Sequence, residues 1–191
     1  MAGLLDDVSR AIGRFDGAID ERVDRLRGHP HVDRLMYAAS ELGDFSLIWH
    51  LVSNGRALAP DRRLIHAVRV AAILGAESAL VNGPVKSLFR RHRPAWEQAR
   101  PLRLRRPRTS SFPSGHASAA MTAAGVLSQG DPLWPLYYAI GAVVASSRVY
   151  VKIHHPSDVI AGAVLGVALA RVARRVWPFP SVPELVDGPA R

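Results

Sequence analysis

From Thr109 to Gly130 the chain reads TSSFPSGHASAAMTAAGVLSQG, 22 residues without Asp, Glu, Lys or Arg. Alanine favours helix, and the Pro113-Ser114-Gly115 sequence ahead of it marks where the helix starts. A bilayer is crossed by about 20 mainly apolar residues, and small side chains let neighbouring helices approach closely inside it. Pro132–Ser147 adds 16 residues free of these charges and Val159–Ala170 another 12. Leu35–Ser53 holds Glu41 and Asp44, and Leu64–Val85 holds Arg69 and Glu77. Those two stretches span only if their charges face a bundle interior or an interface. Mean hydropathy is just +0.05, so the individual runs carry the argument. A soluble bundle of buried Ala-rich helices is the alternative; run length and small-residue content favour the membrane.

Outward from this stretch, helices are expected at about 33–54, 61–89, 115–129, 132–150 and 156–176. Leu4, Leu5, Val8, Ile12, Phe15, Ile19, Val23 and Leu26 follow steps of three and four, an amphipathic helix that Gly28-His29-Pro30 ends. It could lie on a membrane, pair with a partner helix or pack on its own domain. The expected fold is all-α, a multi-pass membrane bundle of about five core helices plus the N-terminal helix. The expected organisation is 1–28 for that helix, 33–177 for the bundle and 178–191 for an irregular tail. The first 27 residues are charged throughout and do not read as a secretory signal.

The 191 residues contain no cysteine, which excludes disulfides, thiolate zinc sites and a cysteine nucleophile. Lys and Arg number 25 against 16 Asp and Glu, a net charge of +9, and 48% of residues are hydrophobic, too many for a disordered basic tail. Residues 86–108 alone carry +8: Lys86, Arg90, Arg91, Arg93, Arg100, Arg103, Arg105, Arg106 and Arg108 against Glu97. An anion belongs near this loop.

Three clusters carry chemistry. In Lys86-Ser-Leu-Phe-Arg-Arg-His-Arg93-Pro94, a lysine near a helix end and an arginine seven residues on can converge on a phosphate, one as a point charge and one as a fork. Solvated helix-end cations are the bland reading. Phe112-Pro113-Ser114-Gly115-His116 puts a hydroxyl, free backbone N–H groups and a histidine at a helix N-terminus, an anion site with a proton donor beside it. Its bland reading is an N-cap with an incidental histidine. In Ser147-Arg148-Val-Tyr-Val-Lys-Ile-His154-His155-Pro156-Ser157-Asp158, Arg148 closes one helix and Pro156 opens the next. His154 and Asp158 stand four apart, so the carboxylate can engage one ring nitrogen and leave the other as nucleophile. A helix-start Asp beside surface histidines is the plain alternative. In an antiparallel bundle Lys86, Ser114, Arg148 and His154 all fall at the same end.

Together the clusters resemble the type 2 phosphatidic acid phosphatase superfamily, which includes lipid phosphate phosphatases and vanadium haloperoxidases. Its patterns KxxxxxxRP, PSGH and SRxxxxxHxxxD all occur here in order, covering residues 86–158. The resemblance implies that Lys86, Arg93 and Arg148 bind phosphate oxygens, helped by Ser114 and the Gly115 amide. It implies that His154 attacks phosphorus to give a phosphohistidine, that Asp158 orients it, and that His116 protonates the leaving oxygen and then activates water.

The expected activity is therefore a membrane phosphatase acting on a lipid phosphate or diphosphate (a prenyl phosphate, phosphatidic acid or phosphatidylglycerol phosphate). The expected location is the cell membrane. No cofactor and no metal are expected; a metal on His116, His154 and Asp158 is the competing idea. The expected partners are the lipid substrate and the membrane, not nucleic acid, and a homo-oligomer is compatible with the sequence. A vanadate-dependent haloperoxidase and a non-enzymatic anionic-lipid binder are the other functions weighed. The basic loop points to a cytoplasmic site, whereas family resemblance points to the opposite face. Glu77 and Asn82 read as core partners or as support behind the site, with Arg69 the candidate partner of Glu77.

Overall fold

The structure, a computed structural model, describes residues 2–57, 64–95, 104, 107 and 109–179, and over them it contains helices and no strand. The helices are α1 (Ala2–Asp24), α2 (Pro30–Leu42), α3 (Leu47–Ala57), α4 (Leu64–Leu80), α5 (Gly115–Leu127), α6 (Trp134–Tyr150) and α7 (Pro156–Val176). The expected 178–191 tail lies outside the described residues except at 178 and 179, as do Arg100, Arg103, Arg105, Arg106 and Arg108 of the basic loop.

The single helix expected at 33–54 is two helices. A 3₁₀ turn over Asp44–Ser46 separates α2 from α3, with Phe45 and Ser46 at positive φ of 53° and 58°. Left-handed backbone is unfavourable for residues with a β-carbon, and the turn is closed by Ser46 N donating to Gly43 O at 3.1 Å. Gly43 ends α2 against the His116 ring, where a β-carbon would lie 2.7 Å from His116 Cδ2. The second departure is at the end of α4, which widens into a π turn over Val81–Val85 around Pro84 before reaching Lys86. Proline lacks the N–H that would continue the α ladder, and the wider turn accommodates its ring.

Helix α5 is the axis of the bundle, enclosed by α4, α6 and α7. Nearly all of it is buried from Ala117 to Leu127. Alanine, serine and glycine there leave room for backbones to touch. A β-carbon on Gly162 would lie 2.3 Å from the Ser114 carbonyl oxygen, and one on Gly166 would lie 2.2 Å from that of Ser118. Gly162, Gly166 and Ala170 thus form one small-residue stripe along α7, the device by which helices pack closely in lipid. Large apolar residues such as Leu136, Ile160, Val164 and Val172 face outward. Among the described residues one helical stretch, Leu64–Val85, is long and apolar enough to cross a membrane, with mean hydropathy 1.6.

The bundle has two polar ends. At one, Arg56 pairs with Asp131 and donates to Leu127 O at 3.1 Å and Tyr137 OH at 2.7 Å. Arg69 lies toward this end, donating to Trp177 O at 2.6 Å and Gln129 Oε1 at 3.2 Å; it does not serve Glu77. The reason is register, since eight helical residues separate the two by about 12 Å along the axis. At the opposite end Arg27 covers the last carbonyls of α6, donating to Val149 O at 2.9 Å and Tyr150 O at 2.8 Å. This ties the segment after α1 to the end where the three sequence clusters meet.

Candidate active site

Four helix termini converge here: the end of α4, the start of α5, the end of α6 and the start of α7. Each terminus has a local cause. Ser114 is the N-cap of α5, its Oγ accepting from Ala117 N at 3.4 Å. Pro156 occupies the first turn of α7, where its missing N–H costs nothing. The two starts are joined directly, because Ser114 N donates to Asp158 O at 3.0 Å. Gly162 permits that approach by bringing α7 onto the Ser114 backbone.

Arg93 lies over the site, held by backbone carbonyls on both branches of its fork. Its Nη1 donates to Ile153 O at 2.9 Å and stands 3.3 Å from His154 Nε2, while Nη2 reaches Thr109 O and Ser110 O at 3.2 Å each. A guanidinium can only donate, so His154 Nε2 acts as acceptor and carries a lone pair. Its proton then belongs on Nδ1, which faces Asp158 Oδ2 at 3.6 Å. That spacing exceeds hydrogen-bond range, so the carboxylate acts on the neutral ring as a charge facing a dipole. His154 is buried, and burial, opposed by Asp158 and reinforced by Arg148 and Arg93, pushes its pKa down to about 3. The ring is neutral at physiological pH, as a nucleophile must be.

Lys86 is buried and donates to Asn82 Oδ1 at 2.9 Å. Burial first, then the Arg93 and Arg148 charges, push its pKa down to about 8. Asn82 itself packs on Gly115, whose missing β-carbon would lie 2.9 Å from Asn82 Oδ1. Asn82 is therefore the support for Lys86, and Glu77 lies beside Ser118 within the field of Lys86. Arg148 is buried at 1% exposure, with Nη1 on the hydroxyl of Ser40 from α2.

His116, in the first turn of α5, has Nε2 at 2.8 Å from Asp44 Oδ1. The break after α2 delivers this carboxylate, and a continuous helix would carry it elsewhere. Among the described residues no three His, Asp or Glu side chains gather as a metal set.

All eight expected site residues (Lys86, Arg93, Ser114, Gly115, His116, Arg148, His154 and Asp158) thus come to one end of the bundle. Four partners were not legible as such: Asp44 on His116, Ser40 on Arg148, and Arg91 with Asp16 on Asp158. Arg91 reads in the sequence as one of many loop charges surplus to the motif. In the structure its Nη1 donates to Asp158 Oδ1 at 2.6 Å. Gly43-Asp44 inside a helical run was the available signal for the break.

A helical bundle with two histidines and three cations gathered at one end has the form of a site for phosphoryl transfer. Residues 66–180 match the PAP2 superfamily, and the chain belongs to that family. It is 32% identical over 139 residues to the decaprenylphosphoryl-5-phosphoribose phosphatase of Mycolicibacterium smegmatis, covering 72% of this chain and 74% of the relative. A shorter stretch of 63 residues is 44% identical to the undecaprenyl-diphosphatase of Sulfolobus acidocaldarius, covering 32% and 31%. The fold is shared with the transmembrane PAP2 type phosphatidylglycerolphosphate phosphatase from Bacillus subtilis, with a TM-score of 0.66 and 24% identity over 87% of this chain and 86% of that one. The family and these relatives make the protein a PAP2-type phosphatase, and its candidate span supports membrane association.

Proposed function

We propose that the protein is a multi-pass cell-membrane phosphatase that hydrolyses a polyprenyl-linked phosphate or diphosphate through a phosphohistidine. The glycerolipid phosphates, phosphatidic acid and phosphatidylglycerol phosphate, are the other substrates to compare. Lys86, Arg93 and Arg148 hold the phosphoryl oxygens with the Gly115 amide and Ser114. His154 Nε2 attacks phosphorus as the bond to the lipid oxygen breaks, and His116 gives its proton to that leaving oxygen. Asp158 balances the charge arising on the His154 ring. In the second half His116 takes a proton from water, the water oxygen attacks phosphorus, and the P–N bond breaks to release inorganic phosphate and restore neutral His154. Such transfers depend on positioning and charge stabilisation. Asp44 holds the His116 ring in place for both proton transfers.

The observation that carries this reading is the buried His154 ring, with Nε2 3.3 Å from Arg93 Nη1 and Nδ1 3.6 Å from Asp158 Oδ2. Phosphate release from a panel of prenyl phosphates, prenyl diphosphates and glycerolipid phosphates tests it, comparing wild type with His154→Ala. Release by wild type, inhibition by vanadate and loss of at least about a thousandfold in the variant are expected, the size set by removal of a nucleophile. Equal release by both proteins would reject the assignment.

A further inference from the structure

Helix α1 lies outside the segment that matches the family, and most of its surface is exposed, including Leu4, Leu5, Val8, Ile12 and Phe15. Among its described residues the only buried one is an aspartate, Asp16, at 5% exposure. A helix docked for packing alone buries its apolar stripe. This one docks through a carboxylate, and beside it Gly13 and Gly17 line a cavity of about 410 Å³ that reaches His154 and Pro156. Beside the site the contact is a polar bridge, while Val23 near the end of the helix packs against the cluster of Tyr37, Tyr150 and Ile153.

The bridge leads to the catalytic histidine. Asp16 Oδ1 accepts from Ser157 N at 2.8 Å, satisfying one of the unpaired amides at the start of α7. Asp16 Oδ2 accepts from Ser157 Oγ at 2.8 Å and from Arg91 Nη2 at 2.6 Å. Arg91 Nη1 then donates to Ser157 Oγ at 2.7 Å and to Asp158 Oδ1 at 2.6 Å. Asp158 is fully buried, and its other oxygen accepts from His155 N at 2.9 Å while facing His154 Nδ1. Arg91 thus donates to Oδ1 of Asp158 through one branch of its fork, and Asp16 fixes the other.

We propose that Asp16 and Arg91 are positioning residues of the reaction: the N-terminal helix, through the Asp16–Arg91 pair, sets the carboxylate that orients His154. A planar fork bridging two carboxylates is a geometry arginine provides and lysine does not. The proposal rests on His154 being the nucleophile, and the test separates the two claims.

Phosphate release from farnesyl diphosphate in detergent is measured for wild type, Asp16→Asn, Arg91→Gln, Arg91→Lys and Asp16→Asn/Arg91→Gln. The side-chain ¹⁵N spectrum of His154 and Tm are recorded for each protein. Expected are a fall in kcat of about thirtyfold for Arg91→Gln and about fivefold for Asp16→Asn, with KM within about twofold. Arg91→Lys is expected to fall between wild type and Arg91→Gln. The double variant is expected to be no slower than Arg91→Gln alone, because the two act as one unit. In the ¹⁵N spectrum, wild type carries the His154 proton on Nδ1, and Arg91→Gln shows a mixture of tautomers. An unchanged tautomer and unchanged kcat in Arg91→Gln would overturn the proposal, as would losses that multiply in the double variant or that track a fall in Tm. The spectrum needs no substrate, so a wild type inactive on farnesyl diphosphate counts against the proposed function while the tautomer still decides this inference.

Discussion

Replacing Gly162 with alanine asks whether the site depends on the close approach of α7 to α5. A β-carbon there would sit 2.3 Å from the Ser114 carbonyl oxygen, and 3.2 Å from both its carbonyl carbon and its nitrogen. Real β-carbons essentially never come within 3.0 Å of another atom, so the helices must part by about 0.7 Å, and by about 1.1 Å to restore ordinary contact. All three atoms are backbone, so no side chain can swing aside. The displacement falls between Ser114 and Asp158, which are joined by a 3.0 Å hydrogen bond, and hence between the start of α5 proposed to hold phosphate and the His154 end of α7. A misplacement of about 1 Å at reacting groups costs on the order of a hundredfold in rate. Overpacking a tight interface costs about 1–3 kcal/mol of stability. Gly162→Ala should therefore lose about a hundredfold in kcat while remaining folded, read from phosphate release and thermal unfolding in detergent. The control is Gly75→Ala on α4, where a β-carbon meets nothing within 4 Å, and it should retain activity. A Gly162→Ala protein within twofold of wild type would refute the idea that this contact sets the site.

Other outcomes follow from the same geometry. Lys86, with a pKa near 8 against its ordinary 10.5, loses its charge as pH rises through about 8. kcat/KM for an anionic lipid should fall on that alkaline limb, and Lys86→Arg should move the limb upward because guanidinium stays charged. Asp44→Ala frees the His116 ring from its 2.8 Å partner and should lower kcat about tenfold with KM nearly unchanged, measured under saturating substrate. At the remote end, Arg56→Ala takes the cation from the buried Asp131 carboxylate, leaving it Leu133 N and Tyr137 Oη, and should cost about 3 kcal/mol in chemical denaturation with KM unaltered.

How much of this was legible follows from the range of each signal. The start of α5, the turn into α7 and the cations at helix ends are local, written in contiguous residues such as Ser114-Gly115-His116 and His155-Pro156, so the sequence reveals them. Helix order alone then brings Lys86, Ser114, Arg148 and His154 to one end. The break at Asp44–Ser46 is different. Its left-handed Phe45 and Ser46 run against local preference, and Gly43 beside them packs on His116, a residue some seventy positions away. Arg91 could not be told from its neighbours, because charge in a basic loop says nothing about which arginine turns inward. Asp16 sits in a helix whose period suggests docking by Leu5, Val8 and Ile12, yet those side chains face outward and the carboxylate is the one that is buried. The Glu77–Arg69 pairing fails for the simple reason of axial distance along α4.

The central claim, that the phosphoryl group passes through His154 Nε2, is tested most directly by trapping the intermediate. Wild type and His116→Ala are mixed with terminally ³²P-labelled prenyl diphosphate, quenched in alkali within milliseconds, digested, and the labelled peptide sequenced. Label that is stable in base, labile in acid and confined to the peptide containing His154 is the predicted result, building up if His116→Ala slows hydrolysis of the intermediate, and absent from His154→Ala. Release of labelled phosphate by wild type with no label on His154 at any time, or label in His154→Ala at the wild-type level, would contradict the account.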